Sequence, residues 1–293
     1  AIGLRAGVER SAKFMMTGLF LLMIVLVVRA IALPGAGKGL AFYLKPDFSK
    51  FTWEAAYAAM GQAFFTLSLG IGSMLIFGSY IGKERSLAGE SVYVILIDTT
   101  VALLAGFIIF PTCFAFGVDP GAGPGLIFVS LPNIFNAMAG GRFWGSLFFL
   151  FMIFATMTTV IAVFEHLVAF FMDEWHWSRG KACLALSIIT FVAALPCALG
   201  FGPWSGFAPL GPGTVILDLE DFIVTFNLLP IGSLLFVIFC TTRYGWGWNN
   251  FIKEANTGSG LKFPTGLRVY MTYALPVVIL VLLVMGYIDF FSK

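Results

Sequence analysis

Charge is scarce in this sequence. Of its 293 residues only 11% are Asp, Glu, Lys or Arg, against the quarter or so with which a water-soluble domain covers its surface. Histidine occurs twice, at His166 and His176, too few for a histidine-rich metal cluster. The four cysteines (Cys113, Cys183, Cys197 and Cys240) form no CxxC spacing and lie in or beside apolar runs. They read as small buried apolar residues, neither disulfides nor ligands. A net charge of +2 is too small to draw nucleic acid, and no nucleic-acid partner is expected. Neither HExxH nor GxSxG occurs, so no hydrolytic constellation suggests an enzyme. The first apolar run ends at Arg29 without a small-residue cleavage site, so this run is not expected to be a signal peptide. The opening Ala in place of Met hints that the sequence does not start at a natural beginning.

What is abundant is apolar. Hydrophobic residues make up 59%, with 33 Phe, and the mean hydropathy is +0.96. Such a chain takes lipid as its solvent. A helix crosses a ~30 Å hydrocarbon layer in about 20 residues. Seven runs meet that length, near 14–33, 57–81, 91–116, 143–171, 182–199, 219–241 and 270–290. The stretches between them, 34–56, 82–90, 117–142, 172–181, 200–218 and 242–269, are short, polar or rich in Gly and Pro. The 117–142 stretch is apolar enough to form a re-entrant or surface-lying pair of short helices. An all-α, polytopic protein of the inner (plasma) membrane follows, with the bilayer as its partner. Eleven Lys/Arg, from Arg5 and Arg10 to Arg268, fall on one side; six (Arg29, Lys38, Lys45, Lys50, Arg142 and Lys293) fall on the other. Basic residues stay cytoplasmic, so the N-terminus is expected inside and the C-terminus outside. That opposes a seven-helix receptor, whose N-terminus is external.

Inside hydrocarbon each ionisable group costs about 2.5–3.5 kcal/mol at mid-span. Asp98, in the middle third of the third run, is either bonded to a neighbouring helix or a cation or proton site. Glu165 and His166, near the cytoplasmic end of the fourth run, are placed to snorkel, to pair locally or to function. The second run carries Gly61, Gly70, Gly72 and Gly78 around the polar step Thr66–Leu67–Ser68. It reads either as a small-residue packing face or as a broken helix exposing the carbonyls of Phe65 and Thr66 and the hydroxyls of Thr66 and Ser68. In the fourth run the Ala155 carbonyl, Thr158 and Thr159 bring three oxygens together. Hard monovalent cations suit such oxygens; threonines equally bond back to their own i−4 carbonyl.

Together these segments resemble the neurotransmitter:sodium symporter family, in its bacterial amino-acid transporter branch, that of the bacterial leucine transporter. GQAFFTLSLGIG at 61–72 followed by SY at 79–80 resembles the sixth helix, and AGFIIF at 105–110 the seventh. SLPNIFNAMAGG at 130–141 resembles the external helical loop, and FATMTTVIA at 154–162 the eighth helix. The family fold pairs two inverted five-helix repeats. On that pattern the chain corresponds to helices five to eleven. Residues 1–33 are the last helix of the first repeat, 34–56 an external loop, 57–241 the second repeat, and 242–293 a cytoplasmic loop with a final helix. The first four helices are then expected elsewhere, on sequence beyond this chain or on a companion chain.

The resemblance implies roles residue by residue. Phe65, Thr66, Ser68, Ile71, Thr159 and Val163 match substrate-binding positions. Thr66 and Asp98 match the first sodium site, and Ala155, Thr158 and Thr159 the second. Asp221 matches the external gate carboxylate, and Asp173 with Tyr80 the cytoplasmic gate. Sodium-coupled uptake of a neutral, hydrophobic or aromatic amino acid by alternating access is implied, bending at Gly70, Gly72 and Pro230. A proton-coupled transporter of the same broken-helix fold is the alternative. Three departures stand out. Asp98 replaces a usual asparagine and Ala102 a chloride-binding serine, so chloride independence is expected although Gln62 matches another chloride-site position. Thr17, with Gly18 beside it, stands ten residues after Gly7 where relatives unwind at a proline. Ile71 and Val163 are smaller than the usual residues and enlarge the pocket.

Overall fold

The computed structural model describes residues 10–121 and 125–292. Arg5, Gly7 and Lys293 lie outside them, as do the side chains of Arg10 and Lys50. Helix is the only regular structure among the described residues. In chain order the helices are α1 (Arg10–Ile31), α2 (Ala36–Leu44), α3 (Trp53–Thr66), α4 (Ser73–Ser79), α5 (Leu87–Ala115), α6 (Leu131–Ala137), α7 (Gly141–Trp175), α8 (Arg179–Gly200), α9 (Ile216–Ile223), α10 (Leu229–Thr241), α11 (Trp248–Ala255) and α12 (Leu275–Ser292). π-turns lead into α6 (Leu126–Ser130), α10 (Val224–Leu228) and α12 (Tyr270–Ala274).

Among the described residues six helical spans are long and apolar enough to cross a membrane: α1, α5, α7, α8, α9 continued through its π-turn into α10, and α12 with the turns before it. The seventh expected span is the pair α3 and α4, whose separate lengths fall short because the chain unwinds between them. α5 shows why these helices need lipid: it is apolar on every face, as a helix is only in a core or a bilayer, and Tyr93, Leu96 and Leu103 on it stay exposed. The protein is therefore a multi-pass membrane protein.

The chain divides into two compact units. Residues 1–50 and 97–163 make one, and residues 51–96 and 164–293 the other. In the first, Leu19, Met23 and Leu26 of α1 pack with Ile108 and Cys113 of α5, Phe148 and Phe151 of α7, and Leu131, Ile134 and Phe135 of α6. α1 runs unbroken through Thr17, whose hydroxyl donates to the Lys13 carbonyl at 2.8 Å. Gly18 instead admits the Phe154 ring. Among the described residues of the 117–142 stretch, expected as a pair of short helices, the helical segment is Leu126–Ala137, whose Leu131, Ile134 and Phe135 are drawn into that core. The 34–56 connection contains α2, whose Tyr43 stacks on Phe110 (4.8 Å) and donates to the Leu103 carbonyl at 3.1 Å.

In the second unit Val168 of α7 packs with Ala182 and Leu186 of α8, and α11 is anchored by buried Trp248 and Ala255. Of the four cysteines, all free, only Cys113 is fully buried; the other three are half-buried.

Candidate functional site

The second apolar run is broken at its centre. α3 is capped by Thr52, whose hydroxyl accepts the Ala55 amide at 3.1 Å, and ends at Thr66; α4 starts only at Ser73. Between them Ser68, Gly70 and Gly72 have left-handed backbone, with φ of 50°, 84° and 96°. Alternating such residues with right-handed ones stops a helix from closing its ladder. Ser68 is the costly member, since a side chain in this region is strained. The Phe65 carbonyl, expected to be open, accepts the Ser68 amide at 3.0 Å, and the Phe64 carbonyl accepts Leu69 at 3.0 Å. The turn thus takes up part of the backbone that the break releases.

Two close contacts fix this segment within its unit. A methyl group on Gly70 would lie 2.7 Å from the Ser233 amide nitrogen, and one on Gly232 would lie 2.8 Å from the Gly70 carbonyl carbon. Backbone therefore meets backbone where the break crosses α10, and the small-residue reading of these glycines holds together with the broken-helix reading. Gly72 is covered by the His166 ring, 2.9 Å from the position of an added methyl. Phe65, Thr66 and Ile71 are exposed and Ser68 is half-buried on this segment.

The remaining substrate and sodium positions belong to the other unit. Ala155, Thr159 and Val163 follow one another at four-residue spacing and so share one face of α7. The Thr158 hydroxyl donates to the Ala155 carbonyl at 2.7 Å and the Thr159 hydroxyl to the same oxygen at 3.4 Å. Back-bonding and clustering coincide: the three oxygens are gathered at one point, neutral and hard, a donor set that fits a monovalent cation. Asp98 is half-buried midway along α5. Thr66 and Asp98, both matched to one sodium site, fall in different units.

Toward the cytoplasmic end, Glu165 is almost wholly buried, 3% exposed, and held by Arg179 through two bonds, Nη1–Oε1 at 3.1 Å and Nη2–Oε2 at 2.5 Å. A bidentate guanidinium pair is the geometry that best repays burying a carboxylate. The Tyr80 hydroxyl adds a bond to Glu165 Oε1 at 3.4 Å. Tyr80 is thus joined to Glu165, while Asp173 lies exposed eight residues further along α7. In the sequence Arg179 is one of the eleven basic residues of the cytoplasmic side and carries no other signal on its own. A carboxylate in an apolar helix followed by an arginine just past the next turn was the available signal.

At the opposite end of the same unit, Asp221 is exposed on the last turn of α9, and its Oδ1 accepts the Thr225 hydroxyl at 2.7 Å. The π-turn that follows frees the Phe222 carbonyl, which accepts Asn227 Nδ2 at 3.0 Å; Asn227 Oδ1 in turn accepts the Tyr287 hydroxyl of α12. Asn227 and Tyr287 carried no signal in sequence, because a π-turn has no composition of its own.

The sequence pattern of the sodium:neurotransmitter symporter family matches residues 1–293. The chain is 37% identical over 288 residues to an uncharacterized sodium-dependent transporter of Haemophilus influenzae, with 97% of this chain and 61% of that protein covered. To the uncharacterized sodium-dependent transporter YhdH of Bacillus subtilis it is 34% identical, covering 88% and 56%. To the sodium-dependent serotonin transporter of Drosophila melanogaster it is 26% identical, covering 92% and 44%. It thus spans 44–61% of the length of these relatives. The crystal structure of MhsT in complex with L-phenylalanine superimposes with a TM-score of 0.82 at 36% identity, covering 97% of this chain and 64% of that one. Transport, not enzymatic catalysis, is the business of such proteins, and the chain, matched over its whole length, belongs to the sodium:neurotransmitter symporter family.

Proposed function

We propose that this chain serves a sodium-coupled symporter that takes up a neutral, hydrophobic or aromatic amino acid by alternating access. The observation that carries the proposal is the interrupted helix. Left-handed backbone at 68, 70 and 72 offers polar backbone in the middle of an otherwise apolar span, which a membrane tolerates only beside protein or a watery cavity. In this reading Phe65, Thr66, Ser68, Ile71, Thr159 and Val163 receive the amino acid. Ala155, Thr158 and Thr159 hold one sodium ion, and Thr66 and Asp98 contribute to a second. Asp221 gates the external side; Tyr80 and Asp173 gate the cytoplasmic side, which the charge bias places with the N-terminus. The substrate class is supported by MhsT, a relative of known structure with L-phenylalanine bound. Coupling needs only differential affinity: sodium and substrate favour closed states over open ones, and the gradient sets direction.

The carboxylate of Asp98 supplies next to sodium the negative charge that chloride would otherwise bring, so transport proceeds without chloride. Binding of tritiated L-phenylalanine, competed by a panel of amino acids, tests the scheme in sodium chloride, sodium gluconate and potassium chloride. Binding that persists in gluconate and disappears in potassium is expected. Binding indifferent to sodium refutes the coupling, and loss of binding in gluconate refutes the role given to Asp98.

A further inference from the structure

Most of the hydrogen-bonded threonine and serine hydroxyls in the helices of this protein donate to a backbone carbonyl of their own helix, commonly the one four residues earlier. Thr17, Ser91, Thr112, Ser146, Thr156 and Thr241 each donate to the backbone carbonyl four residues earlier, at 2.6–2.8 Å. This is the usual fate of a helical hydroxyl, which has no other acceptor within reach in lipid. Thr225 breaks the habit. It too looks back four residues, but its hydroxyl donates to the Asp221 side chain, Oγ1 to Oδ1 at 2.7 Å.

The surroundings explain the exception. Thr225 is the second residue of the π-turn Val224–Leu228, where the wider winding displaces the carbonyls that a hydroxyl would ordinarily find. Its methyl group faces α3 at Gly61, 3.9 Å from where a methyl on that glycine would stand. The turn is itself held rigidly. Asn227 closes the Phe222 carbonyl and receives Tyr287, and Phe226 stacks on both Phe222 (5.9 Å) and Tyr57 (5.7 Å). A threonine set in such a frame has one orientation to offer. Among the described residues the second carboxylate oxygen of Asp221 accepts no hydrogen bond, and the side chain is exposed. One oxygen is anchored and the other is presented.

We propose that Thr225 is a positioning residue for the external gate: it anchors one oxygen of Asp221 so that the other is presented to a cationic partner, a guanidinium or ammonium group. This rests on the reading of Asp221 as the external gate carboxylate given above. Without the anchor the carboxylate samples several rotamers, and closure over bound substrate must order it each time. The gate then opens more readily, and the substrate leaves faster.

The test is the dissociation rate of tritiated L-phenylalanine in saturating sodium, with the thermal midpoint measured alongside. Thr225→Val keeps the shape and the methyl but removes the donor; Thr225→Ser keeps the donor and removes the methyl. Expected is a dissociation rate raised about 3- to 10-fold in T225V, as for loss of an ordinary solvent-accessible hydrogen bond, with T225S near wild type and both midpoints nearly unchanged. In an Asp221→Asn background, T225V should add little, because the two residues act as a unit. The opposite pattern, T225V like wild type and T225S impaired, makes Thr225 a packing residue and overturns the proposal. So does full additivity with D221N. If D221N alone leaves the rate unchanged, the gate reading of Asp221 fails first. If wild type shows no sodium-dependent binding, the transport reading fails, and this inference with it.

Discussion

Gly70 offers the sharpest single perturbation. Replacing it with alanine asks two things of the structure at once. The backbone there is left-handed, φ 84°, which costs a side-chain-bearing residue about 1–2 kcal/mol. The new methyl would also meet the Leu229 carbonyl oxygen and lie 2.7 Å from the Ser233 amide. Both belong to the α10 backbone, which cannot swing aside as a side chain can, and overpacking of this kind costs about 1–3 kcal/mol. Gly70→Ala should therefore destabilise by about 2–5 kcal/mol. Gly232→Ala presses on the same contact from the α10 side without the left-handed strain, so only the overpacking cost of about 1–3 kcal/mol applies. Gly72→Ala is the contrasting control. Its φ is 96°, but the atom nearest an added methyl is on the His166 side chain, so part of its cost should be relieved by His166→Ala. The assay is the midpoint of thermal aggregation of the purified protein in detergent, read by size-exclusion fluorescence. The expected order of loss is G70A beyond G232A, with G72A improved by H166A. A G232A protein as stable as wild type would refute the backbone-to-backbone contact, since that contact has two sides and one cannot be tolerant alone.

Two further outcomes follow from the geometry. Arg179→Met leaves the almost fully buried Glu165 without its bidentate partner. Orphaning a buried charge costs about 3–5 kcal/mol, and the part exposure of Arg179 brings this to roughly 1–3 kcal/mol. The double variant Glu165→Gln/Arg179→Met should recover part of the loss in the same thermal assay, and no recovery would show that the pair is not coupled. Thr158→Val removes one of the three oxygens gathered at Ala155 while keeping side-chain volume. Sodium should then be needed at about 10-fold or higher concentration for half-maximal L-phenylalanine binding, as for loss of one to two kcal/mol of ligation; an unchanged sodium dependence would remove Thr158 from the ion site.

The sequence by itself determined the environment of this protein and most of its helices. Where nearly every residue over twenty positions is apolar, as in 91–116 or 143–171, only a membrane-spanning helix satisfies the backbone, and no tertiary information is needed. It raised a break in the second span without deciding between that and a packing face. Gly70 and Gly72 beside a Thr–Leu–Ser step weaken a helix locally, and motif order then tied that weakness to a family. Three things were decided only in three dimensions. α1 stays straight at Thr17 and Gly18 because the hydroxyl closes back on Lys13 and the glycine makes room for Phe154, a residue 136 positions away. Tyr80 is hydrogen-bonded to Glu165, one of two carboxylates on α7 that look alike in sequence and lie eight residues apart. The π-turns at 224–228 and 270–274 carry no residue signature, since one extra residue per turn is chosen by how neighbouring side chains pack and pair. That choice turns Thr225 from its own backbone to Asp221. Hydrophobic pattern is a local property and can be read from the chain; which polar group meets which is settled by helix rotation and winding, and those exist only once the helices have packed.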